Sequence, residues 1–343
     1  MYVKIPFSNI VFAYYPGVCN HSNKSNNLTD KLNGRPLRLL IFGFPCTKFS
    51  VCQKADRRET EPNSGEGWEL FLNGVIAKEK FKPDYFMVEN NDSISQAVKD
   101  EVSKYLSVPY MMINAALVSG QSRKRVYWFN IPGVEQPEDK HITLQSCLDS
   151  GVVDREKSLC IARRYAGFQG SQDYLRRRYF GKSMGQAVFE NCTPEYQKEL
   201  WKADDRKVYE NQKGYIRQLT PEEVERLFTM PVGYTKYGID ENGNMIEIPD
   251  RWRYECSGNG WVANVIIHIL SYIDIPKDYP IEVLSLYDGI GTGRYVLDKL
   301  GFTNVTYKAY EIDKWAKAIA SYNYPDIVQC NDAFAVREED WKY

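Results

Sequence analysis

The sequence predicts an α/β chain built on a doubly wound parallel sheet, with a second, smaller lobe. Three observations carry this. Short apolar runs such as Leu39-Leu40-Ile41-Phe42 recur between stretches with helical spacing, as in sheets buried on both faces. Near the C-terminus, Glu282–Tyr287 reads as a strand, and Asp288-Gly289-Ile290-Gly291-Thr292-Gly293 as a tight glycine turn into a helix over 293–300. Between these two regions, residues 134–215 lose the strand-helix alternation, and glycines and basic-aromatic clusters take its place.

Taken in order, residues 17–36 are rich in Asn, Ser and Lys and read as a surface connector. A strand over 37–43 leads into Gly43-Phe44-Pro45-Cys46-Thr47-Lys48-Phe49-Ser50, and the polar, glycine-bearing stretch 51–67 resembles a lid. Trp68, Phe71, Leu72, Val75 and Ile76 fall at helical spacing and predict a helix over about 68–80. Strand 84–88, helix 95–106 and strands 110–118 and 125–130 continue the sheet. In the second lobe, Thr220-Pro221-Glu222-Glu223 has an N-cap, a first-turn proline and a capping-box glutamate, so a helix runs from there through Leu227. Asp240-Glu241-Asn242-Gly243-Asn244 predicts a hairpin-like turn, and Gly258-Asn259-Gly260-Trp261 opens a helix that ends near Tyr272. Pro276 and Pro280 bracket a linker. Past the glycine turn, a strand over 305–310 ends in Glu311, a helix covers 313–322, and a strand over 326–330 ends at Asn331-Asp332. This is the β-α-β-α-β half of a nucleotide-binding fold, without the lysine of a phosphate-gripping loop.

With 343 residues, 43% hydrophobic and 26% charged, the chain can bury one large core with a smaller lobe attached. No apolar run approaches the roughly 20 residues of a membrane span, and the first residues lack the apolar segment of a signal peptide. The eight cysteines and three histidines are scattered. They show no metal-site spacing and no disulfide framework, so a reducing, cytoplasmic setting is expected. The net charge of −1 does not point to nucleic acid. Locally, however, Arg163-Arg164-Tyr165, Arg176-Arg177-Arg178-Tyr179 and Lys182 interleave cations with aromatic rings, which suits a surface that touches phosphates and bases.

Three strand ends carry chemistry. Cys46 follows the first strand, Glu89-Asn90 closes the second, and Gln121-Ser122-Arg123-Lys124-Arg125 enters another with its two arginines at alternate positions, hence on one face. In that order these stretches resemble the Pro-Cys loop, Glu-Asn pair and Gln-x-Arg-x-Arg segment of the cytosine-C5 DNA methyltransferases. Arg217-x-Leu-Thr resembles a segment near the end of that family's target-recognition lobe. Leu284–Gly293 and the tryptophan of Gly260-Trp261 are especially similar to the eukaryotic de novo DNA cytosine methyltransferases. The order is rotated relative to most members, with the cysteine half first and the cofactor half last.

The resemblance implies a circularly permuted, Rossmann-like methyltransferase sheet: 1–133 as its catalytic half, 134–257 as the target-recognition lobe and 258–343 as its cofactor half. It implies S-adenosyl-L-methionine as cofactor, with Tyr287, Asp288, Gly289, Gly291, Thr292 and Asn259 around it. Glu311 would take the ribose hydroxyls and Asp332 the adenine amino group. Tyr287 and Ile312 would sandwich the adenine, and Trp261 would cover the methionine end. Cys46 would add to C6 of a flipped cytosine in double-stranded DNA, Glu89 would hydrogen-bond N3 and the 4-amino group, and Arg125 would hold O2 with Arg123 in support. Arg163, Arg164, Arg176, Arg177 and Arg178 would contact the DNA. No metal is needed. Thr47 and Asn91 depart from the family pattern without removing a catalytic group. The absence of any chromatin-reading stretch fits a stand-alone prokaryotic or viral enzyme. An RNA cytosine methyltransferase and a catalytically silent DNA-binding relative remain as alternatives.

Overall fold

The structure is a computed structural model, and it describes residues 28–45, 49, 59–168, 170–182, 184–203 and 213–334. The chain divides between Gly34 and Arg35. The short helix Leu28–Leu32 stands before that point, and the rest of the architecture lies after it.

Seven strands form one sheet: β1 (Leu37–Gly43), β2 (Tyr85–Asn91), β3 (Tyr110–Asn114), β4 (Lys124–Phe129), β9 (Ile281–Leu286), β10 (Val305–Tyr310) and β11 (Val328–Gln329). Their order is β11-β10-β9-β1-β2-β4-β3. Strands β11, β10, β9, β1 and β2 run parallel to one another, so all five end at the same edge of the sheet. The chain turns one way from β1 towards β2 and the other way from β9 towards β10. Their shared border is therefore a topological switch point, where the loops at the strands' carboxyl ends part and leave a crevice.

The strand placed over 110–118 stops at Asn114, and a 3-10 turn takes Ala115–Leu117. The Asn114 side chain is the reason: it accepts from Ala116 N–H at 3.1 Å and from Arg123 N–H at 3.0 Å, folding the chain back on itself. As a result β4 lies antiparallel between β2 and β3, and this end of the sheet is mixed instead of parallel.

The apolar face of β1 and β2 packs on the helices Glu66–Phe81 and Gln96–Leu106. Phe42, Phe44, Trp68, Phe71 and Trp128 belong to this core and are buried. Between β4 and β9 the chain leaves the sheet. It forms two small antiparallel pairs, β5 (Val188–Glu190) with β6 (Tyr215–Arg217), and β7 (Tyr237–Ile239) with β8 (Met245–Glu247). The turn of the second pair is the one expected: Asp240 accepts from the backbone N–H groups of Asn242 and Asn244, at 2.9 and 2.8 Å. The capping box at Thr220 and Glu223 also forms, on the helix Pro221–Leu227.

In place of the single helix expected to open at Gly258 and end near Tyr272, Gly258 and Asn259 close a first helix, Asp250–Asn259, and a second starts only at Ala263, after Gly260-Trp261-Val262, and ends at Leu270. The first lies against the 3-10 segment Arg163–Gly167 so closely that a Cβ at Gly258 would stand 2.4 Å from the Arg163 nitrogen. Among the described residues no helix is long and apolar enough to cross a membrane, and no cluster of three or more His, Cys, Asp or Glu side chains is placed to hold a metal ion.

Candidate active site

The site is built at the common carboxyl edge of the parallel strands. Gly43, the last residue of β1, is in register with Glu89 of β2, while Phe42 faces Leu286, the last residue of β9. The chain leaving Gly43 and the glycine turn leaving Leu286 thus start side by side, about one strand spacing (~4.8 Å) apart. Cys46 lies outside the described residues. The approach to it is described and is held firmly. Phe44 is buried, and its carbonyl accepts from Asn90 Nδ2 at 3.0 Å. Asn90 itself is 1% exposed. An amide directly after a buried strand, next to a carboxylate, was the sequence signal for this role, and the sequence reading gave it none.

Glu89 is the centre of the described part. Its Oε1 pairs with Arg125 Nε at 3.0 Å, and its Oε2 accepts from Trp261 Nε1 at 3.1 Å. Both side chains of the ion pair are nearly buried, Arg125 at 11% and Glu89 at 12% exposure, so the charge-assisted contact is strong. The two arginines do share a face, since Arg123 Nη1 and Arg125 Nη2 both reach Cys160 Sγ, at 3.3 and 3.9 Å. Their surroundings differ. Arg123 is buried at 4% exposure and donates to three backbone carbonyls: Ile161 at 3.0 Å, Gly258 at 3.1 Å and Gly260 at 2.9 Å. It ties the helix break to the sheet.

On the other side of the switch point, the backbone itself shapes a cavity edge. Tyr287 has φ of 57°, unusual for a bulky residue, followed by Gly289 at 66° and Gly291 at 78°. A Cβ on Gly289 would meet nothing within 4 Å, so the turn opens on free space. Gly291 caps the helix Thr292–Lys299, and Thr292 is buried. Glu311 faces the turn. Its Oε2 accepts from Gly289 N–H at 2.9 Å, and its Oε1 from the N–H groups of Ile312 and Asp313 at 2.8 Å each. Burial pushes its pKa up, against the pull of those three donors. Ile312 beside it is 72% exposed, a large apolar side chain left bare. Asp332 is exposed and accepts from Phe334 N–H at 2.9 Å, and Asn259 ends its helix exposed. Tyr287 turns its hydroxyl to the Leu70 carbonyl at 2.9 Å.

The Trp261 indole N–H is directed at Glu89. Asp288 keeps its carboxyl inside the protein, where Oδ1 accepts from Ser285 Oγ and Tyr307 Oη, each at 2.6 Å, and Oδ2 has no hydrogen-bond partner among the described residues. Burial raises its pKa to about 6. An unfolded aspartate titrates near 3.9, so between about pH 4 and 6 the folded chain holds a proton that the unfolded chain has lost. Asp288 therefore favours the folded state at low pH, and that contribution disappears as pH rises through about 6. Thermal midpoints of the parent and Asp288→Asn should show it: the advantage of the parent over the variant is expected to be larger at pH 4 than at pH 7. A difference constant over that range would refute the assignment.

The basic-aromatic region is only partly as expected. Arg176 must be removed from the DNA-contact set, because it is fully buried and donates Nε to Gln197 Oε1 at 2.7 Å. The helix Gln172–Phe180 turns Leu175, Arg176 and Tyr179 inward and leaves Arg177 and Arg178 outside. Arg177 pairs with Asp173 at 2.6 Å, and Arg178 lies over the rings of Phe168 and Tyr174. Arg163 pairs with Glu255 at 2.6 Å, and Arg164 is exposed.

Residues 13–142 match the family model for C-5 cytosine-specific DNA methylases, a span that includes Glu89, Arg123, Arg125 and the position of Cys46. Among solved structures, the chain resembles a prophage-encoded protein from E. coli described as a DNA modification methyltransferase. The two are 14% identical, the likeness covers 71% of this chain and 82% of that one, and the TM-score is 0.36. Over residues 13–142, then, the chain is similar to the C-5 cytosine-specific DNA methylases.

Proposed function

We propose that the protein transfers a methyl group from S-adenosyl-L-methionine to C5 of a cytosine flipped out of double-stranded DNA, through a covalent bond between Cys46 and C6. The observation that carries this reading is the Glu89 carboxylate, fixed by Arg125 and Trp261 beside the strand that leads into Pro45-Cys46. The residues around the glycine turn suit the cofactor. The turn opens on free space at Gly289, a carboxylate stands opposite it, and an apolar side chain lies bare next to that carboxylate. Glu311 would take the ribose hydroxyls, Ile312 and Tyr287 the adenine faces, and Asp332 the adenine amino group. Asn259 and the backbone from Asp288 to Thr292 would complete the site. When bound, S-adenosyl-L-methionine supplies the methyl group in electrophilic form.

The chain's own residues do the rest. The Cys46 thiolate forms a bond to C6, and the C5–C6 π pair becomes available at C5 for the methyl group. Glu89 accepts from the 4-amino group and, carrying a proton, delivers it to N3 as negative charge develops on the ring. Arg125 holds O2. Loss of the C5 proton then restores the double bond and expels the Cys46 sulfur. We also infer the permuted domain order. Residues 1–133 and 258–343 would make up the methyltransferase domain, which agrees with β1–β4 and β9–β11 sharing one sheet. Residues 134–257, including β5–β8, would be the target-recognition lobe, with Arg163, Arg164, Arg177 and Arg178 offered to phosphates.

The test is methyl transfer from tritiated cofactor to duplex DNA, single-stranded DNA and transfer RNA in parallel. Label is expected in the duplex, at cytosine. Label confined to transfer RNA would move the substrate to RNA, and label in none of the three would make the chain a silent relative.

A further inference from the structure

We propose that Trp261 is a positioning residue for Glu89, and that position 43 is glycine to let the two meet; the role in catalysis rests on the reading just given. Three observations support it. The indole Nε1 lies 3.1 Å from Oε2 while Arg125 Nε lies 3.0 Å from Oε1. The terminal torsion of a glutamate is soft and broad, so one donor would leave the carboxylate free to turn. Two donors on different oxygens fix its plane.

The contact is also made directly over bare backbone. A Cβ at Gly43 would stand 2.7 Å from Glu89 Oε2 and 3.1 Å from Trp261 Nε1. A side chain there requires the carboxylate oxygen to shift and the indole to give by a few tenths of an ångström.

The segment that bears Trp261 is itself immobilised. Arg123 holds the carbonyls of Gly258 and Gly260, and the Phe228 ring lies 5.1 Å from its guanidinium. On the other side, Ala263 N–H donates to Phe228 O at 2.9 Å, and Asn264 N–H donates to Thr229 Oγ1 at 2.8 Å. Trp261 is therefore a fixed donor. Indole nitrogen donates and never accepts, so it cannot take up the proton that Glu89 handles. It orients the carboxylate and leaves the remaining lone pairs for the base.

Trp261→Phe keeps the ring and removes the N–H. With cofactor and duplex DNA saturating, kcat is expected to fall about 10–100-fold, the scale of one hydrogen bond to a charged group, while the dissociation constant for S-adenosyl-L-methionine changes by less than about threefold. Gly43→Ala, which leaves the indole intact, should reproduce the fall in kcat. Thermal unfolding of each variant is measured alongside. Unchanged kcat with weakened cofactor binding in Trp261→Phe would overturn the proposal and return the indole to the cofactor.

A second readout does not depend on turnover. The Trp261 indole cross-peak in a 1H–15N spectrum, assigned by its loss in Trp261→Phe, is expected to shift in Glu89→Gln. If the cross-peak stays in place, the bond is absent and the proposal fails. If the parent methylates no nucleic acid but the cross-peak shifts, the contact stands and the methyltransferase reading is what fails.

Discussion

Cys46→Ser is expected to abolish methyl transfer, below detection in a filter assay, while S-adenosyl-L-methionine binding persists. A thiol is a few pH units from ionisation near neutrality, whereas a serine hydroxyl is far harder to deprotonate and a weaker nucleophile towards C6. The approach to the position is independent of the substituted atom. Phe44 is buried, and its carbonyl is bonded to Asn90, whatever follows Pro45. The residues proposed for the cofactor lie at the ends of β9, β10 and β11 and on the helix Asp250–Asn259, so they have no reason to respond. Duplex DNA containing 5-fluorocytosine gives the matching test, since fluorine at C5 cannot leave as a proton does and the adduct accumulates. The parent should form a covalent complex and Cys46→Ser none. A full-yield adduct in the variant would take Cys46 out of the nucleophile's place.

Much of the site was legible because its residues sit at strand ends, and strand ends can be read from apolar runs. Leu39–Phe42 located Gly43, Phe86–Val88 located Glu89, and the run before Tyr287 located the glycine turn. Alternation likewise put Arg123 and Arg125 on one face, and both do reach Cys160. What could not be read was which partner each side chain chooses. Period and composition do not tell that Arg123 is consumed by carbonyls from residues 161, 258 and 260, because those contacts span up to 137 positions. The same holds for Arg176: in Arg176-Arg177-Arg178 the three charges look alike, and the facing Gln197 decides that the first is buried. The helix break at Gly260-Trp261-Val262 was missed for a related reason. The apolar spacing runs on across it, and it is tertiary contact, Gly258 against Arg163 and Ala263 against Phe228, that ends one helix and starts another. The reversal of β4 turned on one polar side chain, Asn114, inside an otherwise strand-like stretch.

Glu89→Gln is expected to slow the chemical step by about 10²–10⁴-fold, the usual contribution of a positioned acid-base group. The change is nearly isosteric, and its effect comes from what the amide cannot do. A carboxylate accepts at both oxygens, and here one faces the Arg125 guanidinium and the other the Trp261 indole. Glutamine has one accepting oxygen and one donating NH₂ group, so whichever way it is turned, a donor meets a donor. If the oxygen stays on Arg125, the NH₂ is pushed against Trp261 Nε1, above a Gly43 backbone that already has no room for a Cβ. If it stays on Trp261, the NH₂ faces a guanidinium that has lost its opposite charge. Either arrangement disturbs the group that must hydrogen-bond N3 and the 4-amino group, and the amide has no proton to deliver to N3. A cost of about 1–3 kcal/mol in stability should accompany it, as for other buried donors left against the wrong partner. Single-turnover methyl transfer at saturating cofactor separates the chemical step from binding, and a thermal melt reads the stability. With chemistry shown to limit the rate, a fall of less than about threefold would mean that the base is activated by another group. The Glu89–Arg125–Trp261 contact would then be a structural clasp at the mouth of the sheet.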